Sequence, residues 1–136
     1  MARGEGEKTE KTEKITINLG LVDLGQIDLL VQEGFYTNRT DFIRTAIRNQ
    51  IATRADMLEA TAARRTLTLG SSHYTRRDLE EIRDARQMIH IRVLGLASIA
   101  ADVSPQLALA TIASVEVLGA FRAPTAVKAA LAPRTA

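Results

Sequence analysis

Lys14-Ile15-Thr16-Ile17-Asn18-Leu19-Gly20 is the stretch that decides the fold. Six residues alternate polar and apolar before a glycine. As a strand, the segment sends Ile15, Ile17 and Leu19 to one face and Lys14, Thr16 and Asn18 to the other. The first face needs a core to cover it. The second carries a cation, a hydroxyl and an amide, groups that hydrogen-bond base edges. No second alternating run follows within hairpin distance, so the pairing strand is distant or on another chain.

Downstream, Leu24, Ile27, Leu30 and Val31 recur at helical spacing and Gly34 closes the run, predicting a helix over about 21–33. Phe35-Tyr36-Thr37 follows as a loop. Asn38 and Asp41 then stand three apart like a capping box, with an acid in place of the usual Glu. They precede Phe42, Ile43, Ala46, Ile47, Ile51, Ala55 and Leu58, which predict one long helix to about residue 63. The start of that helix, with Thr37, Asn38, Arg39 and Thr40, offers backbone N–H groups and the positive end of a dipole to a phosphate. Any helix begins this way, so the cap alone carries little weight.

The order of these parts carries more. An alternating strand, a helix ending in glycine, the turn Gly34-Phe35-Tyr36-Thr37-Asn38-Arg39-Thr40-Asp41-Phe42-Ile43-Arg44 and a second helix resemble the ribbon-helix-helix family of CopG, Arc and MetJ type, over residues 14–54. Physical argument reaches the same assembly. Some 45 residues are too few for an adequate core, and a lone two-stranded ribbon is marginal. Two chains that pair their strands can cover one face of the ribbon with four helices, which makes folding and dimerisation one event.

The resemblance implies an intertwined homodimer whose intermolecular antiparallel ribbon enters the major groove of double-stranded DNA. By position the base readers are Lys14, Thr16 and Asn18, and the phosphate contacts are Thr37, Asn38, Arg39 and Thr40. Arg44 and Arg48 add phosphate contacts or form a solvated, salt-bridging face. The dimer core is Ile15, Ile17, Leu19, Leu24, Ile27, Val31, Phe42, Ile43 and Ile47. Two departures stand out. Gly20 replaces the frequent proline, and Leu21, Val22 and Leu29 are apolar where polar residues are usual. Leu21 and Leu29 are thus expected to form an oligomer contact, against the alternative of scattered surface leucines.

Composition bounds the rest. The 136 residues are 46% hydrophobic with no cysteine, which removes disulfides, thiolate metal sites and thiol catalysis. No signal peptide or membrane span is apparent, so a cytoplasmic, nucleoid-associated protein is expected. Net charge by segment is 0 over residues 1–14, −2 over 15–63, +3 over 64–92 and +1 over 93–136. DNA binding must therefore rest on locally placed groups and not on a general positive field. Residues 1–13, with the run Glu7-Lys8-Thr9-Glu10-Lys11-Thr12-Glu13, are expected to be a disordered charged arm.

Residues 64–134 show a period of about 24 residues. Ile91-Arg92-Val93-Leu94-Gly95 recurs as Val115-Glu116-Val117-Leu118-Gly119, with an earlier degenerate copy at Thr66-Leu67-Thr68-Leu69-Gly70. Helices are expected from Thr75, from Pro105 and from Pro124. The whole is then an α+β protein: the ribbon-helix-helix domain over 14–63, followed by a small α/β repeat-like oligomerisation domain of short strands and helices. A conventional small α/β domain is the alternative. His73 and His90 lie in different elements and are read as ordinary polar residues, with no metal and no cofactor expected. Glu80, Glu81 and Asp84 share a helix with arginines and are read as a salt-bridged face, so no catalytic residue and no enzyme activity are expected.

Three functional classes follow. The leading one is a sequence-specific transcriptional regulator, a repressor, acting as a homodimer or as a tetramer or larger array joined through its second half. The second is an antitoxin that represses its own operon and wraps a toxin. The third is an architectural protein that polymerises on DNA.

Overall fold

A computed structural model describes residues 12–136, which separate into two compact units over residues 12–60 and 61–136. Most of the charged arm, residues 1–11, lies outside the described residues.

In the first unit, residues 12–20 are exposed and form no strand, and the chain enters α1 (Leu21–Gln32) through Gly20. Gly20 takes φ −61°, within the range that a proline ring would impose. Gly34, at φ +85°, ends α1: its N–H donates to the Val31 carbonyl and the Phe35 N–H to the Leu30 carbonyl, the paired closure that a left-handed glycine permits. The second helix, α2 (Arg39–Ala52), is shorter than its apolar periodicity predicts. The Thr53 hydroxyl donates to the Gln50 carbonyl at 2.6 Å and the Arg54 N–H to the Ile51 carbonyl at 2.9 Å. These three-residue closures tighten the last turn and break the expected long helix, and α3 (Ala55–Arg64) restarts beyond it.

The second unit runs β1 (Thr68–Tyr74), α4 (Arg76–Asp84), β2 (Ile89–Ile99), α5 (Pro105–Thr111), β3 (Ile112–Arg122) and α6 (Thr125–Leu131), then a 3-10 turn over Ala132–Arg134. The sheet is parallel in the order β1-β2-β3. Each helix start has a local cause. Thr75 and Asp78 form a reciprocal capping box at 3.0 and 3.1 Å, and Ser104 caps α5 by accepting the Leu107 N–H at 3.1 Å, with Pro105 at its first position. Pro124 stands one residue earlier than expected, at the N-cap of α6.

Gly70, Gly95 and Gly119 pair in register across the three strands. All have positive φ, at 122°, 140° and 122°, and the strands continue through them. A Cβ on Gly95 would overlap the Gly70 carbonyl oxygen, and one on Gly119 the Gly95 carbonyl oxygen. The glycines therefore let the strands approach where no side chain fits.

Crossing helices cover one face of the sheet. Leu79, Leu107, Val127 and Leu131 pack there on Ile91, Val93, Ala97 and Val115, all 6% exposed or less. Burying a side chain of this size stabilises by about 1.5–3 kcal/mol each, so this is the unit's principal source of stability. The other face bears the Leu69-Leu94-Leu118 row and, beyond it, Leu96 beside Ala120. Among the described residues, no helix is long and apolar enough to cross a membrane.

Candidate nucleic-acid interface

The segment Lys14–Leu19 is exposed on both sides of its alternation. Lys14, Thr16 and Asn18 are open to solvent, but so are the apolar residues between them: Ile15 is 75% exposed, Ile17 58% and Leu19 38%. Of the residues expected in the dimer core, only Ile27 is buried within one chain. Leu24, Val31, Phe42 and Ile43 are half-buried, and Ile47 is 48% exposed. Leu21 and Leu29 are exposed at 85% and 59%, as is Val22 at 75%, so α1 presents apolar side chains around much of its circumference.

The start of α2 is held by a set of local bonds. The Asn38 Oδ1 accepts the Asp41 N–H at 2.8 Å, and the Asp41 carboxylate reaches back to accept the Thr37 N–H at 2.9 Å. The bond thus falls one residue before the position that a standard capping box uses. Tyr36 meets the edge of Phe42, with centroids 5.0 Å apart, and pins the loop onto the helix. The Arg39 guanidinium forks onto Asp28 of α1 with two bonds of 2.8 Å. That hydrogen bond holds the Asp28 carboxyl below its ordinary range and raises the Arg39 guanidinium in turn.

The expected phosphate contacts thereby fall into two sets. The Thr37 N–H, the Asn38 amide oxygen and the Arg39 side chain have partners within the chain. Thr40, Arg44 and Arg48 are exposed, and neither Arg44 nor Arg48 forms an ion pair among the described residues. The N–H groups of Arg39 and Thr40, in the first turn, have no helical acceptor and remain suited to an anion. Asp28, eleven residues from Arg39 and on another helix, gave no signal in the sequence.

In the second unit, His73 and His90 each bond through Nδ1 to a serine on the neighbouring strand, Ser98 at 2.6 Å and Ser114 at 2.7 Å. On α4, Arg76 pairs with Glu80, Arg77 with Glu81 and Arg83 with Asp84.

An exposed alternating segment, a glycine-ended helix and a second helix opening on a capped turn are the parts of a ribbon-helix-helix module. The chain matches the ribbon-helix-helix transcriptional regulator family over residues 10–128 and belongs to it, which makes it a DNA-binding transcriptional regulator by class. The match extends well past residues 14–54 and takes in all three parallel strands. No curated protein and no solved structure matches the chain.

Proposed function

We propose that two copies of the chain pair residues 14–19 as an antiparallel ribbon, set it in the major groove and occupy a specific operator as a repressor. The observation that carries this is the exposure of Ile15, Ile17 and Leu19 on a segment that forms no strand within one chain. Burying these three side chains in a second copy stabilises by about 5 kcal/mol or more per chain at ~1.5–3 kcal/mol each. The same act turns Lys14, Thr16 and Asn18 outward on the ribbon's other face. Lys14 suits guanine acceptors, Asn18 a bidentate pair with adenine, and Thr16 a base edge or a thymine methyl. Thr40, Arg44, Arg48 and the first turn of α2 fix the register on the backbone phosphates.

The test is the triple substitution of Lys14, Thr16 and Asn18 by Ala. Bound sites are first mapped across the genome, and the strongest is then titrated against random DNA at several salt concentrations. Discrimination should collapse while the mass remains that of a dimer; retained discrimination refutes the ribbon. The antitoxin reading is the weaker one, because the second unit has its own buried core and is not the disordered tail that wraps a toxin.

A further inference from the structure

The open face of the sheet is the feature that DNA reading leaves unused. Parallel sheets are normally covered on both sides, because their crossovers place helices on each. Here all three helices share one core, and the other face bears an apolar band between polar ends. Leu69 is 78% exposed and Leu118 43%. Below the band, Glu116 binds Arg65 at 2.8 Å and Arg92 at 3.3 Å; above it lies the row of His73, Ser98 and Arg122. An apolar centre with polar rims is the anatomy of a protein interface.

We propose that this face packs on the same face of the other chain in the ribbon dimer, with the two sets of strands antiparallel. The inference rests on the ribbon reading for its tether. Charge selects the arrangement. A two-fold axis along the strands would set Arg92 on the partner's Arg92 and His73 on the partner's Arg122. An axis across the strands sets Glu116 over the partner's Arg122 and Arg92 over the partner's Ser98. The second arrangement also sets Leu118 on the partner's Ala120 and Leu69 on the partner's Ser71 at the edges, with Leu94 on the partner's Leu96 between them.

Area selects the occupant. With ~3.3 Å per residue and ~4.8 Å between strands, the patch measures about 23 by 14 Å, or roughly 650 Å² over both copies. A free-standing interface needs about 1,000 Å² or more. A copy already joined through the ribbon supplies an effective concentration on the order of millimolar, which a free chain does not. The partner is therefore the sister chain.

The chain has no cysteine, so Ser71→Cys introduces a single thiol on the edge strand of the patch, beside Leu96. The full-length variant is treated with a bis-maleimide spanning about 10 Å, the distance between packed sheets. The comparison protein carries Leu118→Lys in addition; that residue is exposed, so the monomer fold is retained, which circular dichroism verifies. Light scattering gives the mass before cross-linking. The expected result is a dimeric mass for both, with cross-linking to a covalent dimer at least ten-fold faster without Leu118→Lys. A dimeric mass with equal rates overturns the proposal and leaves the ribbon standing. A monomeric mass overturns the ribbon, and with it the tether. Products of four chains overturn the choice of the sister chain.

Discussion

Replacing Gly95 by Ala tests the glycine row most directly. The added methyl would overlap the Gly70 carbonyl oxygen and lie 3.1 Å from its carbon, at a residue with φ +140°. Both neighbours are backbone, so relief requires moving β1 away from β2 and weakening the hydrogen bonds around their register. The disfavoured φ alone costs about 1–3 kcal/mol. Forcing apart packed backbone adds about 1–3 kcal/mol, as overpacking does in a core. The sum, about 2–6 kcal/mol, is large beside the ~4–11 kcal/mol expected of residues 61–136 at about 0.05–0.15 kcal/mol per residue. Urea denaturation followed by circular dichroism measures it, with two internal comparisons. Gly70→Ala meets nothing within 4 Å and has only its φ of +122° to overcome, so it should cost about 1–3 kcal/mol, less than Gly95→Ala. Gly25→Ala also meets nothing, and in mid-helix it should stabilise by about 0.5–1 kcal/mol. Equal costs at Gly70 and Gly95 would assign the whole effect to φ and refute the carbonyl clash.

Other outcomes follow from the geometry. Because Arg39 is committed to Asp28, Arg39→Ala should lower the salt slope of DNA binding less than Arg44→Ala or Arg48→Ala; an equal loss, near one unit per residue, would show that the fork opens on DNA. Hydrogen bonding from Arg65, with the Arg65 and Arg92 charges behind it, holds Glu116 below its ordinary value of 4.5. A depressed carboxylate contributes stability that is complete above that value and is lost as pH falls through the folded pKa. The melting temperature should therefore hold down to about pH 5 and fall below it. Glu116→Gln should melt lower at neutral pH and show a shallower acid limb; an unchanged limb would refute the linkage. Leu21→Ser with Leu29→Ser should alter mass or stability if that face of α1 is a contact, and unchanged values would mark the two leucines as ordinary surface residues.

Much of the first unit was legible because its signals are local. Gly34 ends α1 as the periodicity requires, and Asn38 caps α2 by accepting the Asp41 N–H three residues on. The family membership suggested by residues 14–54 holds and extends to residue 128. The helix break at Thr53 was not legible, since the apolar spacing runs on through Ala55 and Leu58 while a hydroxyl and a backbone amide decide the ending. The Arg39 fork depends on how two helices meet, which no spacing along the chain expresses. In the second unit the glycine period was plain, yet its meaning was not. The repeat shows the spacing of Gly70, Gly95 and Gly119 but not that the strands run on through them to Tyr74, Ile99 and Arg122. That α4 and α5 share one side follows from the fixed hand of the two crossovers that join the strands in the order β1-β2-β3.

The glycine row also works as a rule of growth. Each carbonyl projects into the space its neighbour's glycine leaves vacant, so the geometry at one seam is independent of how many seams there are. Among the described residues, nothing occupies that space beside Gly70. A designer wishing to lengthen this sheet need not reshape its core: a further strand and helix with a glycine at the same depth would meet the same fit. What is passed from one strand to the next is the absence of a side chain, and so the architecture is extensible in steps of one strand and one helix.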